Sequence, residues 1–212
     1  MMMDFTGIVS QLKVIPGGAE VVTQQTEEQY NMMARRKIFT DLCPPLYRET
    51  DIRRLPAVNY RQIMAWRYDA KGLLLTGASG LGKTRCAWKL IERIICEDKP
   101  LMTFKWYDAI QWGSTVSRKF FDVEITEEWL DYLGKVDILF LDDLFKSKMS
   151  EAQESAVYDV VERRSANKKP LLITMNATAA TIKARMTEAG RSERYEAIMR
   201  RLVEFTTVIN FK

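Results

Sequence analysis

The hydrophobic positions of this chain change their period along its length. In residues 20–41 the positions Val22, Thr26, Tyr30 and Met33 recur every three or four residues and share one face of a helix. The tripeptide Pro16-Gly17-Gly18 before it reads as a turn, and Pro44-Pro45 after it predicts the end of the helix and a linker. From Leu73 onward the pattern alternates. Leu73 to Thr76, Val136 to Leu141 and Leu171 to Thr174 are apolar runs without period-two alternation, as expected of strands buried on both faces. Leu101 to Trp106 and Phe205 to Phe211 complete the strands. Helical patterns lie between them, over Lys83 to Cys96, Tyr107 to Lys119, from Thr126 onward, and over Ser150 to Ala166. The expected fold is α/β, a parallel sheet covered by helices on both faces.

Composition narrows the class. The chain has 212 residues, 47% hydrophobic and 28% charged, as in an ordinary globular domain. Its three cysteines (Cys43, Cys86, Cys96) lack metal-binding spacing and it has no histidine, so zinc and histidine acid–base chemistry are not expected. No apolar stretch approaches the ~20 residues of a membrane span, so no membrane partner is expected. The start MMMDF lacks the order of a signal peptide. Unpaired cysteines suit a reducing cytosol, bacterial, or that of a host if the gene is phage-borne.

The net charge of +4 is weak alone. Its cations gather in residues 161–170, four against one acid, and in residues 182–201, six against three. Either stretch could follow a phosphate backbone. FKWYDAIQW (residues 104–112) interleaves aromatics with Lys105, and Arg118 and Lys119 follow, a composition suited to stacking on single strands.

The sharpest signal is GASGLGKT at residues 77–84, which matches the phosphate-loop pattern in full. Gly77, Gly80 and Gly82 let the backbone curl so that the amides of Ala78, Ser79, Leu81 and their neighbours face an anion. Lys83 would reach the β- and γ-phosphates of ATP, Thr84 would place its hydroxyl on Mg²⁺, and Arg85 is expected to bind the nucleotide with them. The strand in VDILFLDDL (residues 136–144) ends in two carboxylates. Asp142 is placed to hold Mg²⁺ and Asp143 to polarise the attacking water. Asn176, at the tip of LLITMNAT, could orient that water. Three strand ends at one sheet edge are where open α/β folds bind ligands.

These motifs in this order resemble the AAA+ class of P-loop ATPases. CPPLYRETDI, GLLLTGASGLGKT, ILFLDDL and ERRSANKKPLLITMNAT together resemble the DnaC/DnaI-type replicative helicase loaders, and IstB-type transposition helpers look similar. The resemblance covers roughly residues 43–212. It implies a three-layer sandwich on a five-stranded parallel sheet without a C-terminal helical lid, preceded by a short helical extension. It further implies ATP hydrolysis at subunit interfaces of a head-to-tail spiral or ring. In that arrangement Arg201, or else Arg200, would act as the arginine finger toward a neighbour. Lys105, Tyr107, Arg118 and Lys119 are then the expected contacts to single-stranded DNA. Residues 1–42 are the expected docking segment for a replicative helicase, through Tyr30, Met32, Met33, Ile38 or Phe39. A nucleotide-switched adaptor with little hydrolysis is the alternative that Asp143, in place of a glutamate, keeps open.

Overall fold

The structure is a computed structural model, and it describes residues 24–98, 101–146, 148–176, 184, 187, 188, 190 and 192–212. The expected turn at residues 16–18, Val22 and, within the basic stretch 182–201, residues 182, 183, 185, 186, 189 and 191 lie outside the described residues. Among those described, the chain forms helices α1 (Gln24–Leu42), α2 (Pro45–Arg48), α3 (Ala57–Ala65), α4 (Lys83–Cys96), α5 (Ala109–Lys119), α6 (Val123–Lys135), α7 (Glu151–Ala166) and α8 (Ser192–Phe205). The strands are β1 (Gly72–Thr76), β2 (Phe104–Asp108), β3 (Ile138–Asp142), β4 (Leu171–Met175) and β5 (Thr206–Asn210).

The five strands are parallel, in the order β2-β3-β4-β1-β5. This is the parallel α/β sheet expected from the hydrophobic pattern, with the five strands that the resemblance implied. β3 and β4 are buried at every position, which is why their sequences show no alternation. Two cores flank the sheet. One packs α5, α6, α7 and α8 on it through Trp112, Trp129, Leu133, Val157 and Ile198. The other packs α1, α3 and α4 on the opposite face around Trp88. The Trp88 ring meets Phe39, Phe104, Trp106 and Phe140 edge-on and lies parallel to Tyr47 at 6.4 Å.

Local chemistry sets the helix starts. Ser150 and Gln153 form a reciprocal capping box at α7. The Asp122 side chain accepts from the Ile125 amide at α6, so this helix begins before the expected Thr126. The Asp108 side chain accepts from Gln111 N–H at 2.7 Å and starts α5 there. Tyr107, expected on that helix, belongs to β2 instead.

The expected linker at Pro44-Pro45 is a further correction. Pro45 occupies the first position of α2, where its missing N–H is no loss, so the pair begins a helix as well as ending one. α1 also continues into the folded core. Phe39 is 3% exposed, Arg35 donates to the Ile95 and Asp98 carbonyls, and Arg36 pairs with Glu92. Ile38 and Phe39 are therefore covered by the chain itself, whereas Tyr30, Met32 and Met33 are exposed.

Candidate functional site

The site lies at the C-terminal edge of the sheet, where β1, β3 and β4 deliver their last residues. The loop 77–82 joins β1 to α4. Gly77 is at φ 137°, and a Cβ there would stand 2.3 Å from the Phe211 carbonyl oxygen. Gly82 is at φ 85° as the residue preceding α4, a left-handed conformation that glycine adopts without strain. The helix thus opens onto the loop with its unpaired amides.

Lys83 is 4% exposed, and its Nζ donates to the Gly77 carbonyl at 2.9 Å and the Ala78 carbonyl at 2.7 Å. Burial depresses its pKa from the ordinary lysine value, with Asp143 and Asp142 acting in opposition. Its ammonium is thus folded back on the loop and held by neutral acceptors, which an anionic phosphate would outbid.

Asp142 is 5% exposed, at the end of β3. Its Oδ1 accepts the Thr84 hydroxyl at 2.8 Å and the Thr174 hydroxyl at 2.5 Å. Burial raises the Asp142 pKa above the usual carboxylate range, and the two hydroxyls oppose that rise. A hard divalent cation suits this hydroxyl and carboxylate pair, so Thr84 and Asp142 fit Mg²⁺.

Asp143 follows with φ 55°, a strained conformation for a residue with a side chain. Its amide donates to the Thr174 hydroxyl at 2.8 Å. One carboxylate oxygen accepts from the Asn176 side chain and the other from Lys146 Nζ at 2.6 Å. The structure thus brings together Lys83, Thr84, Asp142, Asp143 and Asn176, as their sequence positions implied.

A cavity of about 670 Å³ opens over these groups. Ser79, Gly80, Leu81, Gly82, Lys83 and Thr84 form its floor, with Asp143, Lys146 and Asn176 on one side. Its other wall is Tyr47, Thr50, Asp51, Leu55 and Pro56, from the segment that follows Pro44-Pro45. Arg85 lines the cavity too, but its guanidinium donates to the Leu46 carbonyl and the Thr50 hydroxyl and lies 5.7 Å over the Tyr47 ring. It braces that wall rather than aiming at phosphate. Sequence reasoning missed this wall, Thr174 and Lys146. The run CPPLYRETDI was the available signal for the wall, and a threonine near the end of β4 was the signal for Thr174.

The expected nucleic-acid contacts differ in exposure. Tyr107 is 7% exposed, packed against Trp112 and Trp129, with its hydroxyl accepting from Trp129 Nε1 at 3.1 Å. It cannot stack on a base without leaving the core. Lys105 lies 5.0 Å from the Tyr107 ring centroid, and burial lowers its pKa. Arg118 is exposed on α5 and Lys119 is half-buried. In the stretch 161–170, Arg163 pairs with Glu127, Lys169 with Asp137, and Arg164 is fully buried. Three of the four cations of that stretch are thus engaged in the fold, and Lys168 is exposed.

Arg201 is half-exposed on α8 and pairs with Glu162 and Glu204. Arg200 is exposed and has no ion pair among the described residues.

The parallel sheet, the phosphate loop and the paired carboxylates make an α/β fold with a candidate nucleotide site at the C-terminal ends of its strands. No protein-family model and no curated protein matches the chain in sequence. Solved structures match its fold. The crystal structure of DnaI is 20% identical over 84% of this chain and 94% of that one, with a TM-score of 0.60. That of the DnaC helicase loader is 19% identical over 83% of this chain and 99% of that one, with a TM-score of 0.55. The replication initiator DnaA bound to AMPPCP and single-stranded DNA is 15% identical over 74% of this chain and 44% of that one, with a TM-score of 0.55. At these identities the likeness is one of fold. Among the described residues no helix is long and apolar enough to cross a membrane.

Proposed function

We propose that this chain is an ATP-dependent loader of a replicative DNA helicase onto single-stranded DNA. The observation that carries the reading is the joined set Thr84–Asp142–Thr174 and Asp143–Asn176 beside Lys83, on a fold shared with a helicase loader. Gly77 to Thr84 would cradle the phosphates, with Lys83 leaving its two carbonyls for them. Thr84 and Asp142 would hold Mg²⁺, which supplies charge neutralisation between the phosphates. Asp143 polarises the attacking water and Asn176 orients it. Arg201 is the proposed finger toward a neighbouring subunit in a head-to-tail spiral or ring, and it must leave Glu162 to serve. Arg200, exposed on the same turn, is the alternative.

The domain division that fits this reading places the ATPase at residues 43–212, with the partner-docking segment in residues 1–42. Within that segment the docking face is Tyr30, Met32 and Met33, since Ile38 and Phe39 are committed to the core. Lys105, Arg118 and Lys119 remain the proposed single-strand contacts, through phosphate rather than stacking, so binding would be insensitive to sequence. One observation favours a second reading, a nucleotide-switched adaptor with slow turnover: both oxygens of Asp143 are already engaged.

The test is capture of the replicative helicase encoded in the same cell or phage, with ATP, by the full chain and by Tyr30→Ser/Met33→Ser. Retention by the full chain and loss in the double variant supports the loader. Capture by neither protein moves the assignment to a transposition helper.

A further inference from the structure

Lys146 has no part in the phosphate-loop pattern, yet its turn is fixed beside the site. The tight turn that carries it is held at both ends. Leu144 N–H donates to the Thr174 carbonyl at 2.9 Å, and Lys146 N–H donates to the Asp143 carbonyl at 2.9 Å. The turn requires left-handed backbone at Asp143 and Phe145, with φ 55° and 62°. Side chains rarely adopt that conformation unless the surroundings impose it. The result places the Lys146 ammonium on Asp143 Oδ2 at 2.6 Å. The Lys146 side chain is 61% exposed, that of Asp143 only 20%, and both line the cavity with Ser79 and Lys83.

An ammonium on that oxygen opposes the role proposed for Asp143. It neutralises the charge with which the carboxylate would polarise water. The lysine is also the mobile partner of the pair. Asn176 sits at the strand end, whereas Lys146 reaches in on a flexible stem. A phosphate bearing more charge than one carboxylate competes for the ammonium on favourable terms. Lys83 is held in the same manner, on two loop carbonyls, where an incoming anion can claim it.

We propose that Lys146 is a nucleotide-displaced latch on Asp143. Its ammonium pairs with the carboxylate while no γ-phosphate is present. It transfers to the γ-phosphate when ATP enters, which frees Asp143 to act. Lys146 thus contacts the γ-phosphate itself, and its contribution distinguishes ATP from ADP. The inference rests on the phosphate-site reading above.

The experiment measures equilibrium binding of fluorescent ATP and ADP analogues, with Mg²⁺, to the full chain and to Lys146→Met, Lys146→Arg and Lys83→Ala. Lys146→Met is expected to lose about tenfold in ATP affinity and less than about twofold in ADP affinity, the size of one charge-assisted contact. Lys146→Arg should restore most of the preference. Melting temperatures should change little, because the lysine end of the pair is largely in water. Equal losses for the two nucleotides, or no loss for either, would overturn the latch. If Lys83→Ala binds ATP as tightly as the unmodified chain, the phosphate-site reading fails and the latch with it. If Lys83→Ala weakens both nucleotides while Lys146→Met leaves their ratio unchanged, the latch alone is wrong.

Discussion

Asp142 is a carboxylate placed where water hardly reaches it, with two hydroxyls on one oxygen as partial compensation. Its pKa is raised by burial, so folding favours the protonated form. The sign follows from that direction. The stability contributed is fully present below the unfolded carboxylate range and is lost as pH rises through the raised folded value. At neutral pH the charged group therefore destabilises the chain without a metal. Asp142→Asn keeps an acceptor for Thr84 and Thr174 and removes the buried charge. We expect it to melt at a higher temperature than the unmodified chain at neutral pH, with the gap closing on acidification. It should also lose Mg²⁺-dependent nucleotide binding. Thermal melts across pH, without nucleotide, check the first part; an Asn variant less stable at neutral pH would contradict it. Residues of the phosphate loop were legible because their roles depend on neighbours in sequence. Thr174 was not, because its hydroxyl matters only once β4 lies beside β3.

At the scale of elements, α7 shows how a charge can mislead. Arg164 sits among cations in the sequence, yet the fold buries it completely. Its guanidinium donates to the carbonyls of Leu133, Val136, Asp137 and Pro170, tying the end of α6 and the starts of β3 and β4 to α7. Burial lowers its pKa to about 10, still protonated at neutral pH. Arg164→Ala leaves those carbonyls without their donor and should lose about 3 kcal/mol or more of stability, read by denaturant unfolding. DNA affinity measured well below the melting point should not change for that variant. A stable Arg164→Ala would contradict the structural role. The misreading of Tyr107 has a related cause. The β2–α5 boundary was expected at Tyr107, but Asp108 caps the helix, which leaves Tyr107 on the strand. There, side-chain alternation turns its ring into the core.

At the scale of the whole molecule, two cores on one sheet leave the C-terminal strand edge for the candidate site. The apolar runs disclosed the sheet, since strands buried on both faces cannot alternate. The far wall of the cavity was not disclosed. Tyr47, Thr50 and Leu55 reach it only because α2 packs on α4, with Tyr47 against Trp88. α1 divides along its length in the same way. Phe39→Ala should cost about 3 kcal/mol, because it opens the Trp88 cluster. Met33→Ser should stay within about 0.5 kcal/mol, because the side chain is already in water. Denaturant unfolding of the two variants separates the half of α1 that holds the fold from the half available to a partner. Equal losses would contradict that division.

The most direct measurement is Mg²⁺-dependent ATP turnover by the unmodified chain, Lys83→Ala and Asp143→Ala, with single-stranded DNA present. The account predicts turnover by the unmodified chain. It predicts a fall on the order of 100-fold in both variants, one losing the phosphate contact and the other the water-polarising carboxylate. Turnover by Lys83→Ala at the rate of the unmodified chain would contradict the site.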